Sequence, residues 1–395
     1  MESVQRRRSV QGERDAARLV GGADGGGAMK RLAAGGIGLA LAILATAALW
    51  SVWRAQTTGF PGRHWAWTTP EAAGFSAEKL AEFSRKTGGS GCIVRGGKMI
   101  HAWGDVTNRH DVASSCKPVY AFLTFKALEE RRLASLDEPV AKFMPALADL
   151  NPDLGHKDRA ITFRHLLRQT SGYGLLEDPG AAFAYNDFGT GLLVWTVLHE
   201  VYQTPWKQFD GVLNGPRLGA VVGFEDLPDL NSRQSHLGRL RMSVRDQARF
   251  ALLVLRGGTW RGRTMLREDL FREALAGVLP ADFPRTSGAE SRTLKKPGSI
   301  GGGKNQKNHL GCLGYYWWFN RIAPDGTRLL PDAPPGTFFG SGYGGRFAMV
   351  VVPEWDLVAV WHDVHKDEVW SPFSEVGRFR VNELLRELRD ARISP

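Results

Sequence analysis

The sequence predicts an α/β fold of the α+β kind: an antiparallel sheet flanked by helices, a helical subdomain inserted into it, and one transmembrane helix in front. Three observations carry that expectation. Apolar strand patterns lie near both ends of the globular part, helical spacing fills the middle, and residues 32–53 hold no charged side chain.

From the N-terminus, residues 1–31 are rich in Gly and Arg and poor in apolar side chains, which reads as a basic, disordered cytosolic tail. The run 32–53 (LAAGGIGLALAILATAALWSVW) would span roughly 33 Å as a helix, enough for a bilayer core. Lys30 and Arg31 precede it, Arg54 follows it, and Trp50 and Trp53 sit where an interfacial aromatic belt would lie. A single anchor is the favoured reading. Ala45-Thr46-Ala47 resembles a cleavage site and keeps a cleaved signal peptide open. Met29-Lys30-Arg31 looks like the start of an exported protein, so translation could begin at Met29. Positive charge before the run places the tail in the cytosol and the rest outside, in a bacterial periplasm or at the cell surface.

Residues 54–65 form a short linker with Gly59, Pro61 and Gly62, and 66–395 form one globular domain. GCIVRGGKMIHAWGD (91–105) reads as a hairpin around Gly96-Gly97. YYWWFNR (315–321) reads as an aromatic strand, and FAMVVVPEWDLVAVWHD (347–363) as strand, turn, strand. Between them, 118–131, 162–169, 188–202, 243–256 and 267–276 have helical spacing. The helical insert therefore covers about 126–280.

The chain has 395 residues, 51 Lys plus Arg against 41 Asp plus Glu, and three cysteines. The basic excess is scattered and no nucleic-acid motif accompanies it, so no nucleic-acid partner is expected. The odd cysteine count and the spacings of Cys92, Cys116 and Cys312 fit neither a disulfide framework nor zinc. The run Gly298–Lys304 nearly fits a phosphate-binding loop, but Asn305 stands where Ser or Thr is needed and no strand precedes it. His362, Asp363, His365, Asp367 and Glu368 lack metal-ligand spacing. No cofactor and no metal is expected.

Chemistry concentrates in three stretches. Ser114-Ser115-Cys116-Lys117 places Ser and Lys three residues apart, on one face of a helix. A neutral Lys amine there could take the Ser proton, and a helix N-terminus would favour developing negative charge. Pro118 is tolerated only in a first turn, so the helix starts here. Tyr185, in FAYNDFG (183–189), could serve as a phenolic base beside a nearby ammonium. Ser341-Gly342, in FFGSGYGGRFAMVVV (338–352), opens a strand whose small residues let a substrate approach and whose next N–H can complete an oxyanion hole.

Together these stretches resemble the serine β-lactamase and penicillin-binding-protein superfamily, nearest its class C β-lactamase-like branch. S-x-x-K, then Y-x-N, then a small-residue strand come in the family's order. ITFRHLLRQTSGY (161–173), SLDEPVAKFMPAL (135–147) and LRMSVRDQARFALLVLRGG (240–258) resemble further family stretches, with Gln169 where the family has His. The resemblance covers about residues 66–390. It implies a β-lactamase/transpeptidase-like fold and a serine hydrolase forming an acyl-enzyme. Ser114 would be the nucleophile, Lys117 its base and Tyr185 the proton shuttle that later activates water. The N–H groups of Ser114 and Tyr343 would form the oxyanion hole, and Asp187, Ser341 and Gly342 would contact substrate.

Two departures bear on substrate. Asp187 replaces the family's Asn, and an ionised Asp only accepts hydrogen bonds; it could also hold Lys117 protonated. Gly340 replaces the cation that would bind a β-lactam carboxylate. Arg346, on the same strand face by alternation, is a candidate substitute. The expected activity is hydrolysis of a small ester or amide with poor β-lactam turnover. The competing expectation is a non-hydrolytic ligand sensor or cell-wall interaction protein of the same fold.

Overall fold

In the computed structural model, the described residues are 59–230, 237–295, 308–364 and 376–393. They belong to one compact unit, Gln56–Pro395. The expected anchor at 32–53, the basic tail, Met29, the run Gly298–Lys304, and His365, Asp367 and Glu368 all lie outside them. Among the described residues, no helix is long and apolar enough to cross a membrane.

Six strands make the main sheet: β1 (Ser90–Arg95), β2 (Lys98–Trp103), β7 (Trp318–Phe319), β8 (Phe338–Gly342), β9 (Phe347–Val352) and β10 (Leu357–His362). Their order is β2-β1-β10-β9-β8-β7 and every neighbouring pair is antiparallel. Two-stranded ladders join β3 (His110–Asp111) to β4 (Arg241–Met242) and β5 (Thr259–Trp260) to β6 (Arg263–Thr264). The β1–β2 turn uses Gly96 (φ +59°) and Gly97 (φ +74°), the left-handed pair such a turn needs. The aromatic strand expected over 315–321 is shorter: only Trp318–Phe319 pairs with β8.

Nine α-helices accompany the strands. They are α1 (Ala77–Thr87), α2 (Lys117–Glu129), α3 (Phe163–Leu167), α4 (Asp187–Trp195), α5 (Phe209–Asn214), α6 (Gly219–Val222), α7 (Val244–Leu255), α8 (Glu268–Ala274) and α9 (Val376–Asp390), counted among the described residues. Polar caps set several of their starts. Ser76 accepts from Lys79 N, Ser243 from Asp246 N, and Thr162 forms a capping box with His165. A π-helical segment, Thr196–Val201, continues α4.

Both faces of the sheet are covered, which is why β9 and β10 read as unbroken apolar runs. On one face Cys92, Val94, Met349, Val351, Val358 and Val360 join a core that includes α2, α4 and α7. Every residue of α7 except Arg245 is buried. On the other face Ile93, Val350, Ala359 and Trp361 meet Leu80 and Phe83 of α1 and Val381, Leu384, Leu385 and Leu388 of α9. Helices α1 and α9 were not expected from the sequence, although Val381, Leu384, Leu385 and Leu388 repeat at helical spacing.

Residues 59–65, within the stretch read as linker, pack against this unit. Phe60 meets Trp260 edge-on at 5.1 Å, Trp65 is buried, and the buried Arg249 guanidinium donates to the carbonyls of Gly62 (3.2 Å) and Arg63 (3.1 Å).

Candidate active site

Leaving β3, the chain makes a 3-10 turn at Ala113–Cys116 and runs directly into α2. Ser114 therefore stands in the turn before the helix, with Pro118 in the helix's first turn as expected. From Val112 to Phe125 every residue is buried except Ser114, which is partly accessible. The turn presents one side chain and seals the rest.

Lys117 reaches back along the same face. Its Nζ donates to Ser114 Oγ at 3.0 Å and to Asp187 Oδ1 at 2.7 Å, and lies 5.3 Å from the centroid of the Tyr185 ring. The ring packs in turn near Trp318, at 6.3 Å. The Lys117 side chain is only 3% exposed. Burial pushes its pKa down, while the Asp187 carboxylate, then Tyr185 and Cys116, push it up; the balance lies above the ordinary lysine value. Lys117 is thus an ammonium in the resting site, not the neutral amine that S-x-x-K suggests.

The Tyr185 loop is held from both sides by one residue. Gln169, buried and at φ +60°, accepts from Ala184 N with its carbonyl (2.8 Å) and from Asn186 N with Oε1 (3.0 Å). Asn186 caps α4 by accepting from Gly189 N, and Asp187 is the first residue of that helix, where the helix dipole favours a carboxylate. Gln169, at the position where the resembling stretch has His, thus brackets the motif. Nothing but its position in the resemblance signalled this.

Strand β8 closes the site. Strand β7 pairs only with Phe338 and Phe339, so among the described residues Gly340–Gly342 has no sheet partner on its outer edge. A β-carbon on Gly342 would lie 2.6 Å from the Val112 carbonyl oxygen, 3.0 Å from Ala113 Cβ and 3.1 Å from Ser114 N. One on Gly340 would lie 3.1 Å from both the Ser115 carbonyl oxygen and Pro118 Cγ. The turn packs on bare backbone. Gly340 is therefore more than a lost cation: a lysine there would press on α2. By alternation Ser341 lies on the opposite strand face and offers its backbone to the site.

Arg346 does not fill the cation's place. The turn Tyr343–Gly345 interrupts the strand before it, so alternation cannot be carried across, and its guanidinium is paired with Asp363. The cation that does stand beside Tyr343 is Arg239, whose Nη2 donates to the Tyr343 hydroxyl at 2.6 Å while its Nε donates to Asp111 Oδ1 at 3.0 Å. Neither Arg239 nor Asp111 carries a motif, and sequence reasoning missed both. A second unforeseen support is buried: His362 on β10 donates through Nε2 to Gln247 Oε1 (2.7 Å), and Gln247 Nε2 donates to Ser115 Oγ (3.1 Å).

Among the described residues, no three His, Cys, Asp or Glu side chains cluster as metal ligands would. Ser114, Lys117, Tyr185, Asp187, Gly342 and Tyr343 are brought together. A partly accessible hydroxyl, a cation at its oxygen and a strand edge opposite suit nucleophilic attack on an acyl carbon.

The fold is similar to that of a penicillin-binding protein homolog from Caulobacter crescentus, at 14% identity and TM-score 0.51, covering 85% of this chain and 99% of that one. It is also similar to a D-alanine carboxypeptidase from Burkholderia cenocepacia (14%, TM-score 0.50, 79% and 97%). Simvastatin synthase from Aspergillus terreus is alike to the same degree (14%, TM-score 0.50, 81% and 96%). At such identities the likeness is one of fold. No curated protein sequence matches the chain. A family model described as Beta-lactamase matches residues 77–362 of the 395, and with that match the chain belongs to the beta-lactamase family of serine hydrolases.

Proposed function

We propose that the protein hydrolyses small neutral esters or amides through an acyl-enzyme on Ser114 and turns over β-lactams poorly. One observation carries the substrate class: among the described residues, the two cations of this site already have carboxylate partners, Lys117 with Asp187 and Arg239 with Asp111. A substrate carboxylate would have to compete with them. A neutral acyl group need not.

In the first half-reaction Ser114 Oγ bonds to the acyl carbon. Its proton passes to Lys117 as Lys117 gives one of its own to Asp187 Oδ1, along the 3.0 Å and 2.7 Å contacts. The carbonyl oxygen, now negative, is met by the N–H groups of Ser114 and Tyr343. The bond to the leaving alcohol or amine breaks, and that group takes the proton back through Lys117. Water then adds to the acyl-enzyme; Tyr185 relays the water's proton, taking it while passing its own to Ser114 Oγ, the acyl–oxygen bond breaks, and the acid leaves with Ser114 restored.

The measurement is kcat/KM for a p-nitrophenyl ester against nitrocefin, on wild type and Ser114→Ala. A β-lactam side-chain carbonyl left without a donor at 187 and a carboxylate without a cation cost about 1–3 kcal/mol each. That amounts to roughly two to four decades in favour of the ester. Nitrocefin turnover near the diffusional ceiling, or an Ser114→Ala variant of full ester activity, would defeat the reading.

The buried ammonium favours a second reading, a non-hydrolytic sensor of the same fold. A fluorophosphonate that fails to label Ser114 would select it. We also propose that residues 32–53 anchor the enzyme with its domain outside the cytoplasm. A C-terminal alkaline-phosphatase fusion should then be active, and an inactive one reverses the topology.

A further inference from the structure

Hydrolysis at Ser114 needs the N–H groups of Ser114 and Tyr343 at a fixed separation, although they come from distant parts of the chain. Both stand at strained backbone. Ala113, just before the nucleophile, has φ +50°, and Tyr343 has φ +43°. Neither is the glycine that would take such a conformation freely, so the surroundings must hold both.

One ion pair touches both. Asp111 Oδ1 accepts from Ala113 N (3.1 Å) and from Arg239 Nε (3.0 Å), while Arg239 Nη2 lies 3.0 Å from Asp111 Oδ2. The same Nη2 donates to the Tyr343 hydroxyl at 2.6 Å, and the guanidinium carbon lies 5.2 Å from the ring centroid. The pair is rigidly based. Asp111 and Arg239 side chains are 17% and 15% exposed, β3 pairs with β4, and Val112 N donates to Leu240 O at 3.1 Å. A planar fork bonded to two partners in set directions is a task for arginine rather than lysine.

The geometry points to Asp111 and Arg239 as positioning residues that tie the Tyr343 ring to the nucleophile turn and so set the gap between the two oxyanion donors. This rests on the hydrolase reading of Ser114.

The test compares Arg239→Lys, Tyr343→Phe and the double variant, on p-nitrophenyl ester turnover and on the rate at which a fluorophosphonate labels Ser114. Arg239→Lys keeps the charge and loses the fork; Tyr343→Phe keeps ring and backbone and loses only the hydroxyl. Misplacing one oxyanion donor should lower kcat about a hundredfold in Arg239→Lys and about tenfold in Tyr343→Phe. KM should stay within about threefold, and the double variant should be no worse than Arg239→Lys, because the two act as one unit. A thermal melt shows that each variant is folded, and if Arg239→Lys is not, Tyr343→Phe decides alone. Wild-type kcat in the folded variants, a loss confined to KM, or losses that multiply would overturn the tie. A wild type that neither labels nor hydrolyses overturns the hydrolase reading instead, and the tie falls with it.

Discussion

At Lys117 two demands meet. The residue must be buried to touch Ser114 Oγ, and a buried ammonium must have a partner. Asp187 supplies it at 2.7 Å. Were Asp187 replaced by Asn, an ammonium left alone would cost about 3–5 kcal/mol, enough to favour the neutral amine. The expected consequence of Asp187→Asn is a new pH dependence. Removing the carboxylate lowers the Lys117 pKa, so kcat/KM should rise with pH through an added ionisation in the working range, where the wild type shows none from Lys117. The Asn amide can also donate to a β-lactam side-chain carbonyl, so residual nitrocefin turnover should increase. Superimposable pH profiles would mean that Asp187 does not govern Lys117.

Among the elements, the approach of β8 to the turn before α2 is what brings the strand against Ser114. Gly342 has an extended backbone (φ −124°, ψ 143°) that any residue can adopt, so Gly342→Ala tests space alone. Its methyl would press the Val112 carbonyl and Ser114 N apart from the strand. Overpacking of this kind costs about 1–3 kcal/mol of stability. The activity should suffer more, since a displacement of about 1 Å can lower a rate about a hundredfold. Ester hydrolysis within threefold of wild type would show that the gap does not matter. This approach also marks how far the sequence could be read. Ser114, Lys117, Tyr185 and Tyr343 sit in motifs with fixed local spacing, and the strands and middle helices have periodic patterns. Asp111, Arg239, Gln247 and His362 gained their places through pairings between distant segments, which leave no local pattern. Strand alternation does not extend to Arg346, because the turn Tyr343–Gly345 interrupts the strand, as the pair Gly344-Gly345 announces.

For the molecule as a whole, His362 links the sheet, α7 and the nucleophile turn, and it should make stability depend on pH. It is fully buried, and its Nε2 proton is committed to Gln247 Oε1 at 2.7 Å. Burial first, and then the nearby His110, lowers its pKa from 6.5 to about 3. A group with a depressed folded pKa lends its stability above the unfolded value and withdraws it as pH falls through the window between the two. For His362 that window runs from 6.5 down to about 3. Within it the slope approaches about 1.4 kcal/mol per pH unit, which integrates to roughly 1.6 kcal/mol between pH 6.5 and 5. That is a sizeable part of the 5–15 kcal/mol typical of a folded domain. Other histidines, the half-buried His101 and His165 and the buried His309, shift in the same direction, so the wild-type slope alone would not isolate His362. His362→Gln does. Glutamine keeps an N–H for Gln247 and cannot titrate. Urea midpoints measured from pH 7.5 to 5 should fall less steeply for the variant than for the wild type, with the two curves closest at the acid end. Parallel curves across that range would mean that protonation of His362 is not what the fold resists.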